Sequence, residues 1–277
     1  FDRRDSYHSW LTEQLKEKKR LFMPDIERVP ELPPESKKLL LACGTKSMLA
    51  VYLESSHRPI GYLEIQALSQ DAQWRADHLE TLQIIANILA HAFARIKSEQ
   101  EVYRLAYYDY LTGLPNRFLM WDLLEQAVST AAAQGTSVGI ILIDLHSFKE
   151  INDTIGHEAG DMLLKKIAQS ITDCVRPGDV VCRFGGDEFV VVMTGVTAYN
   201  VLSDTAERII EAVRKPVMIH NQEFFVNSNA GISVYPLDGK NPEDLVKNAD
   251  LAMNASKERG TNRYAFYSRE MRGEIQQ

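Results

Sequence analysis

Positive charge is what this sequence runs short of. Its 31 Lys and Arg stand against 38 Asp and Glu, a formal net charge of −7. That balance argues against broad, nonspecific nucleic-acid binding, which draws on Lys and Arg. It leaves room for a nucleotide, because a metal ion neutralises phosphates locally. Cysteine is scarce as well. Cys43, Cys174 and Cys182 are odd in number and lack metal-ligand spacing. They suggest a reducing compartment and serve as small core or surface residues. No apolar run is long enough to span a bilayer, no signal peptide is visible, and there is no internal repeat or low-complexity segment. A cytoplasmic location is expected. The chain opens on Phe1 rather than Met, so the natural N terminus is expected further upstream.

What is present is the composition of a soluble globular protein, 45% hydrophobic and 25% charged, in 277 residues. That length holds one large or two ordinary domains. The first part, residues 1–76, reads as α/β. Trp10 to Arg20 is a helix candidate, the proline-rich stretch from Asp25 to Ser36 is loop, and Glu35 to Leu41 fits a short helix. Ser47–Leu53 and Pro59–Ile65 are strand-like runs joined by a polar Glu54–Arg58 segment. This order is similar to the second half of a GAF domain, a small-ligand sensor fold, and implies an unknown small ligand there. His8, His57 and Cys43 are candidate pocket residues, or plain solvated and packed side chains. Residues 77–108 read as one long helix. Leu82, Ile85, Leu89, Ala92 and Ile96 follow steps of three and four, the seam of a parallel coiled coil. Ile84, Ile88 and Phe93 form a second apolar face that suits packing on the helix's own domain.

Beyond it, Thr112, Gly113 and Pro115 break the helix, and Arg117 to Ala133 resumes one. Gly139–Asp144 is a continuous apolar run ending in a carboxylate, as in a strand buried on both faces. Gly160 to Cys174 is an amphipathic helix. Val180–Cys182 and Val190–Met193 flank Gly185-Gly186-Asp187-Glu188-Phe189 and read as a hairpin. Glycine supplies the positive φ of a tight turn and lets a bulky ligand approach the backbone. On those residues alone a plain hairpin and a binding hairpin both stand. Val201 to Val213 is helical. Glu223–Asn227 and Gly231–Tyr235 resemble paired strands. Pro242 to Lys257 is a helix with proline in its first turn, and Tyr264–Tyr267 closes as a strand. The sum is an α+β antiparallel sheet covered by helices.

Four motifs in order carry a family resemblance: Asp109-x-Leu-Thr-Gly-Leu-x-Asn-Arg117, Asp144-x-x-x-Phe148-Lys149-x-x-Asn152-Asp153, Gly156-His157-x-x-Gly160-Asp161 and Gly185-Gly186-Asp187-Glu188-Phe189. Residues 109–268 resemble a GGDEF domain, the diguanylate cyclase module, with its ferredoxin-like fold related to nucleotidyl cyclases and polymerase palms. The resemblance implies a homodimer in which each domain holds one GTP. Two GTP are joined into cyclic di-GMP and two pyrophosphates leave. It implies Mg²⁺, or Mn²⁺ in its place, on Asp144, Asp187, Glu188 and the main-chain carbonyl of Leu145. Hard cations take oxygen ligands, and such an ion would stabilise the triphosphate and activate the 3′-hydroxyl. Asp187 and Glu188 are the implied catalytic acids, and either one would assist deprotonation. Asn152 and Asp161 would read guanine, Asp161 by accepting from N1 and the exocyclic amine. Phosphates would fall to the amides near Phe148 and Lys149 and to Lys257. His157 reads as structural. Arg176 and Asp179, just upstream of the hairpin, resemble the family's inhibitory product site. No nucleic-acid partner is expected.

Three positions depart from the pattern. His146 replaces the usual second Asp, Thr261 stands where an Arg commonly contacts phosphates, and Asn254 replaces a common Tyr. Arg259 and Arg263 are candidates to compensate for Thr261. Residues 269–277 look like the start of a helix leading to a phosphodiesterase EAL domain. The alternative is therefore a noncatalytic module that binds GTP or cyclic di-GMP and regulates an attached hydrolase.

Overall fold

Strand β4 (Ser137–Leu145) sets the architecture of the C-terminal half. Its even positions, Val138, Ile140 and Leu142, enter one core cluster, and its odd positions, Ile141, Ile143 and Leu145, enter another. A strand apolar on both faces must lie between two layers. It does so at the centre of a five-stranded sheet of order β10-β9-β4-β6-β5, where β5 is Val180–Arg183, β6 Glu188–Val196, β9 Ser228–Tyr235 and β10 Arg263–Phe266. The structure, a computed structural model, describes residues 3–56, 58–69, 74–146 and 148–271. The chain divides into two units, 1–102 and 103–277.

In the second unit, α4 (Arg117–Gln134) and α8 (Pro242–Glu258) cover one face. The other face is covered by α6 (His157–Thr172) and α7 (Tyr199–Arg214), with α5 (Phe148–Ile155) preceding α6. All sheet pairings are antiparallel except β9 with β10, which is parallel because α8 crosses over between them. Helix α8 lies close on β9. A Cβ at Gly231 would stand 2.0 Å from the Ala249 carbonyl oxygen and 2.3 Å from the Met253 nitrogen. The expected pairing of Glu223–Asn227 with Gly231–Tyr235 is corrected. Strand β8 (Gln222–Phe224) pairs with β7 (Val217–Ile219) in a separate ribbon, and β9 pairs with β4. The reason is burial: β9 is buried along almost its whole length and belongs inside the sheet, whereas the Phe225 side chain between them is exposed.

In the first unit, β1 (Arg20–Met23), β2 (Ser47–Ser55) and β3 (Arg58–Ala67) form an antiparallel sheet of order β1-β2-β3. Helices α1 (Arg3–Lys18) and α2 (Pro34–Ala42) pack on one face of it, and α3 (Ala76–Tyr107) packs on the other. The predicted seam of α3 divides between two duties. Leu82 is buried against Leu49, Val51 and Leu53 with Ala86 and Ala90, and Leu89 packs beside them. Ile84, Ile85, Ile88, Phe93 and Ile96 stay exposed. The inward stripe is thus the one that holds Leu82, and Ile84 and Ile88, expected to pack on their own domain, face outward. No helix among the described residues is long and apolar enough to cross a membrane.

Candidate active site

Strand register builds the centre of the site. Asp144, the last but one residue of β4, lies directly opposite Glu188 on β6 and Asn229 on β9. Cross-strand partners share a face, so these three residues form a row on the side covered by α8. Lys257, in the last turn of α8, puts its Nζ 2.7 Å from Asp144 Oδ2. The Leu145 amide donates to the Asp187 carbonyl at 3.2 Å, which fixes the hairpin against the end of β4. In the register the direct cross-strand neighbour of Asp144 is Glu188.

The electrostatics follow from that crowding. Burial first, and then the Asp144, Asp187 and Asp250 carboxylates, push the Glu188 carboxyl above its ordinary value, with Lys257 pulling the other way. Asp250 on α8 was not singled out from sequence, where it is one acid among several on a helix. The donors are hard oxygens and suit a hard dication, and the Lys257 ammonium already sits as a cation on Asp144. Among the described residues no three His, Cys, Asp or Glu side chains converge in metal-binding geometry. Asp144 and Glu188 are the acids that the register brings together.

The hairpin works differently from the sequence reading. Neither Gly185 nor Gly186 has positive φ. Gly185 lies close under the Glu188 side chain: a Cβ there would stand 2.9 Å from Glu188 Oε2. The turn closes instead through the Glu188 carbonyl, which accepts from the Phe184 amide at 2.8 Å and the Gly185 amide at 3.3 Å. The space beside Gly186 is open, as a close ligand approach requires.

Arg183 is the residue that sequence reasoning passed over. Its Nη1 donates to both Asp109 oxygens at 2.9 and 3.1 Å, and its Nη2 donates to the Gly186 carbonyl at 2.7 Å. Asp109 also accepts from the Thr112 amide and hydroxyl at 2.8 and 2.7 Å. Burial opposes ionisation there, yet the Thr112 donors and then Arg183 hold the Asp109 carboxyl below its ordinary value. Asn116 caps α4 by accepting from the Phe118 and Leu119 amides, and its Nδ2 donates back to the Ala106 carbonyl. The Asp109–Arg117 motif is therefore a turn bound at one end to the last turn of α3 and at the other to the hairpin.

The other predicted residues fall into place unevenly. Asn152 packs on Gly160, where a Cβ would meet its Oδ1 at 1.7 Å, and that buried Oδ1 has no hydrogen-bond partner. Asp161 follows directly on α6 and is half-buried. Phe148 is core, 7% exposed among Leu145 and Leu163. Lys149 is the second residue of α5, and its side chain and Ser147 lie outside the described residues. His157 is exposed at the start of α6 rather than packed. Arg176 and Asp179 satisfy each other: Arg176 Nε donates to both Asp179 oxygens at 3.1 Å, and its Nη2 donates to the Thr194 carbonyl. Thr261 and Asn254 are exposed. Arg259 and Arg263 line a concavity of about 380 Å³ with Glu207, Glu211 and Arg214 of α7. In the first unit, His8 Nδ1 is bonded to the Tyr62 hydroxyl and Cys43 is exposed. His57 and residues 272–277 of the C-terminal tail lie outside the described residues.

Comparison with known proteins gives a consistent result. The family model described as "Diguanylate cyclase, GGDEF domain" matches residues 106–263. The chain is 36% identical over 196 residues to the bifunctional diguanylate cyclase/cyclic di-GMP phosphodiesterase MucR of Pseudomonas aeruginosa, covering 71% of this chain and 28% of MucR. It is 32% identical over 217 residues to diguanylate cyclase A of Treponema denticola, covering 77% of this chain and 57% of that protein. Among solved structures it is similar to the coiled coil and GGDEF domain of DgcB from Caulobacter crescentus in complex with c-di-GMP. That match has a TM-score of 0.60 and 27% identity, and it covers 66% of this chain and 97% of the other.

Proposed function

This chain belongs to the GGDEF diguanylate cyclase family, and from that premise we propose that it condenses two GTP into cyclic di-GMP and two pyrophosphates. The observation that carries the reading is the row of Asp144 opposite Glu188 with the Lys257 ammonium on Asp144. A bound Mg²⁺, held by Asp144, Glu188, Asp187 and the Leu145 carbonyl, would supply charge for the triphosphate and acidify the attacking hydroxyl. Glu188, whose carboxyl is pushed upward by burial and then by its acidic neighbours, is the better placed of the hairpin acids to take a proton. The open space at Gly186 admits phosphate oxygens to the backbone. Lys257 supplies a positive charge for the phosphates. Asn152, with its unpartnered Oδ1, accepts from the guanine amine, and Asp161 accepts beside it. Adenine presents no such donor pair, which favours GTP over ATP.

One domain holds one nucleotide, so the reaction needs two copies of the chain. The exposed apolar face of α3, with Ile85, Ile88, Ala92 and Ile96, supports pairing of two such helices. The first unit is read as part of a GAF-like sensor for a small ligand. Cyclic di-GMP at Arg176 and Asp179 is read as feedback, and requires the ion pair between them to open.

Incubation of the dimer with GTP and Mg²⁺, followed by chromatography of the nucleotides, tests the activity. Cyclic di-GMP is expected, and Asp144→Asn should lower its rate by about 10²-fold or more. The second reading, a noncatalytic GTP-binding module, is favoured by the exposure of Thr261 and the diversion of Arg259 and Arg263 to another surface. Measurable GTP binding without product would select it.

A further inference from the structure

Asn229 is fully buried in the middle of the site, and its hydrogen bonds fix its orientation. Its Nδ2 donates to Ser256 Oγ at 2.9 Å and to the Gly260 carbonyl at 2.9 Å. Ser256 Oγ spends its own hydrogen on the Met253 carbonyl at 2.7 Å, so it accepts from Asn229. A carbonyl only accepts. The Asn229 amide nitrogen must therefore face α8, and its Oδ1 must face His146, 2.7 Å from Nε2. It follows that His146 Nε2 is the donor and that position 146 requires a hydrogen there. The His146 amide also donates to the Asn227 carbonyl at 2.8 Å.

These bonds tie together the two ends of the active-site ion pair. His146 lies two residues after Asp144, and Ser256 immediately precedes Lys257. Asn229 is also the direct cross-strand neighbour of Asp144. We propose that Asn229 and His146 are positioning residues, a clamp that sets Asp144 against Lys257 and so prepares the site for a metal-bound nucleoside triphosphate. For the nucleotide, the proposal rests on the cyclase reading; for the geometry, it rests on the hydrogen bonds alone.

The clamp makes a prediction that runs against the family pattern. Asp at 146, the residue usual in the family, would present an acceptor to the Asn229 acceptor. Turning the amide to satisfy it would point Oδ1 at the Gly260 carbonyl. Gln places an N–H at the reach of His Nε2. His146→Asp should therefore open the pair and His146→Gln should keep it. The test is the crystal structure of each full-chain variant, together with GTP affinity by calorimetry in Mg²⁺ and the thermal midpoint. Expected for His146→Asp is a Lys257–Asp144 separation beyond 4 Å and an affinity loss of about tenfold, the effect of one lost charge-assisted bond. His146→Gln should stay within about threefold of the parent. If His146→Asp fails to fold, His146→Ala, which removes the donor without adding an acceptor, takes its place with the same expectation. An intact 2.7 Å pair in the Asp or Ala variant would overturn the clamp, as would equal losses in the Gln and Asp variants. A shift in the thermal midpoint with pair and affinity unchanged would reduce His146 to a structural role and also overturn it. Absence of cyclic di-GMP from the parent chain would overturn the cyclase reading, while the separation in the variants would still decide the clamp.

Discussion

Replacing Arg183 by Ala should destabilise the C-terminal unit more than any neighbouring surface change. The guanidinium bridges Asp109 and the Gly186 carbonyl, and the paired side chains are only 12% and 16% exposed. Removing one partner of a buried ion pair costs about 3–5 kcal/mol, because the other charge is left uncompensated. Asp109 keeps its two Thr112 donors, which reduces the expected loss to about 2–3 kcal/mol. At about 2–4 °C per kcal/mol for a domain of this size, the midpoint should fall by about 4–12 °C. The sign of the pH dependence is fixed as well. The folded Asp109 carboxyl lies below its ordinary value, so its stabilisation is fully present above the unfolded value of about 3.9 and fades as pH falls through the folded one. The difference between parent and Arg183→Ala, measured by urea denaturation, should thus be full at pH 7 and shrink below about pH 4. A difference under about 0.5 kcal/mol at pH 7, the size of an exposed pair, or one that persists unchanged into acid, would refute the assignment of a buried bridge.

Gly160→Ala drives a methyl into Asn152 Oδ1; the side chain must swing away, and GTP affinity should fall about tenfold or more while the fold survives, as calorimetry would show. Gly231→Ala meets the α8 backbone instead of a movable side chain, so it should cost about 3 kcal/mol or more in denaturant unfolding. The Cys182 thiol is pushed up to about 12 by burial, and Cys43 is exposed. A maleimide at pH 8 should therefore label Cys43 rapidly and Cys182 only after unfolding, as peptide mass mapping would reveal.

The elements legible in the sequence were those written in one dominant periodicity. Strand β4 read correctly because an unbroken apolar run ending at Asp144 has few other solutions, and α7 and α8 read correctly from their apolar spacing. The short α5 was missed although Phe148, Ile151 and Ile155 recur at helical spacing, because two turns hold only three such positions. Strand β8 was matched to the wrong partner because pairing is a tertiary choice that local β-propensity does not encode. The candidate acids were legible as a motif, but the roles of Arg183 and Asn229 were not. Arg183 looks like any polar residue at the end of a strand, and Asn229 like a turn former. Their importance lies in partners 74 and 83 residues away, which no spacing rule reaches.

That distribution has a physical cause. The face on which Asp144 emerges is decided by the core: with Ile141 and Ile143 turned toward α6 and α7, and Ile140 and Leu142 toward α4 and α8, an even-numbered residue must follow the second group. A slip of one residue would send the carboxylate to the opposite face. Lys257 meets it there only because Gly231 lets the α8 backbone close on β9, and Asn229 then joins the end of α8 to the loop beyond β4. The chemistry of the site thus depends on residues that never touch a substrate. A variant with every acid intact but Gly231 or Asn229 altered should keep the whole motif and lose the Asp144–Lys257 pair.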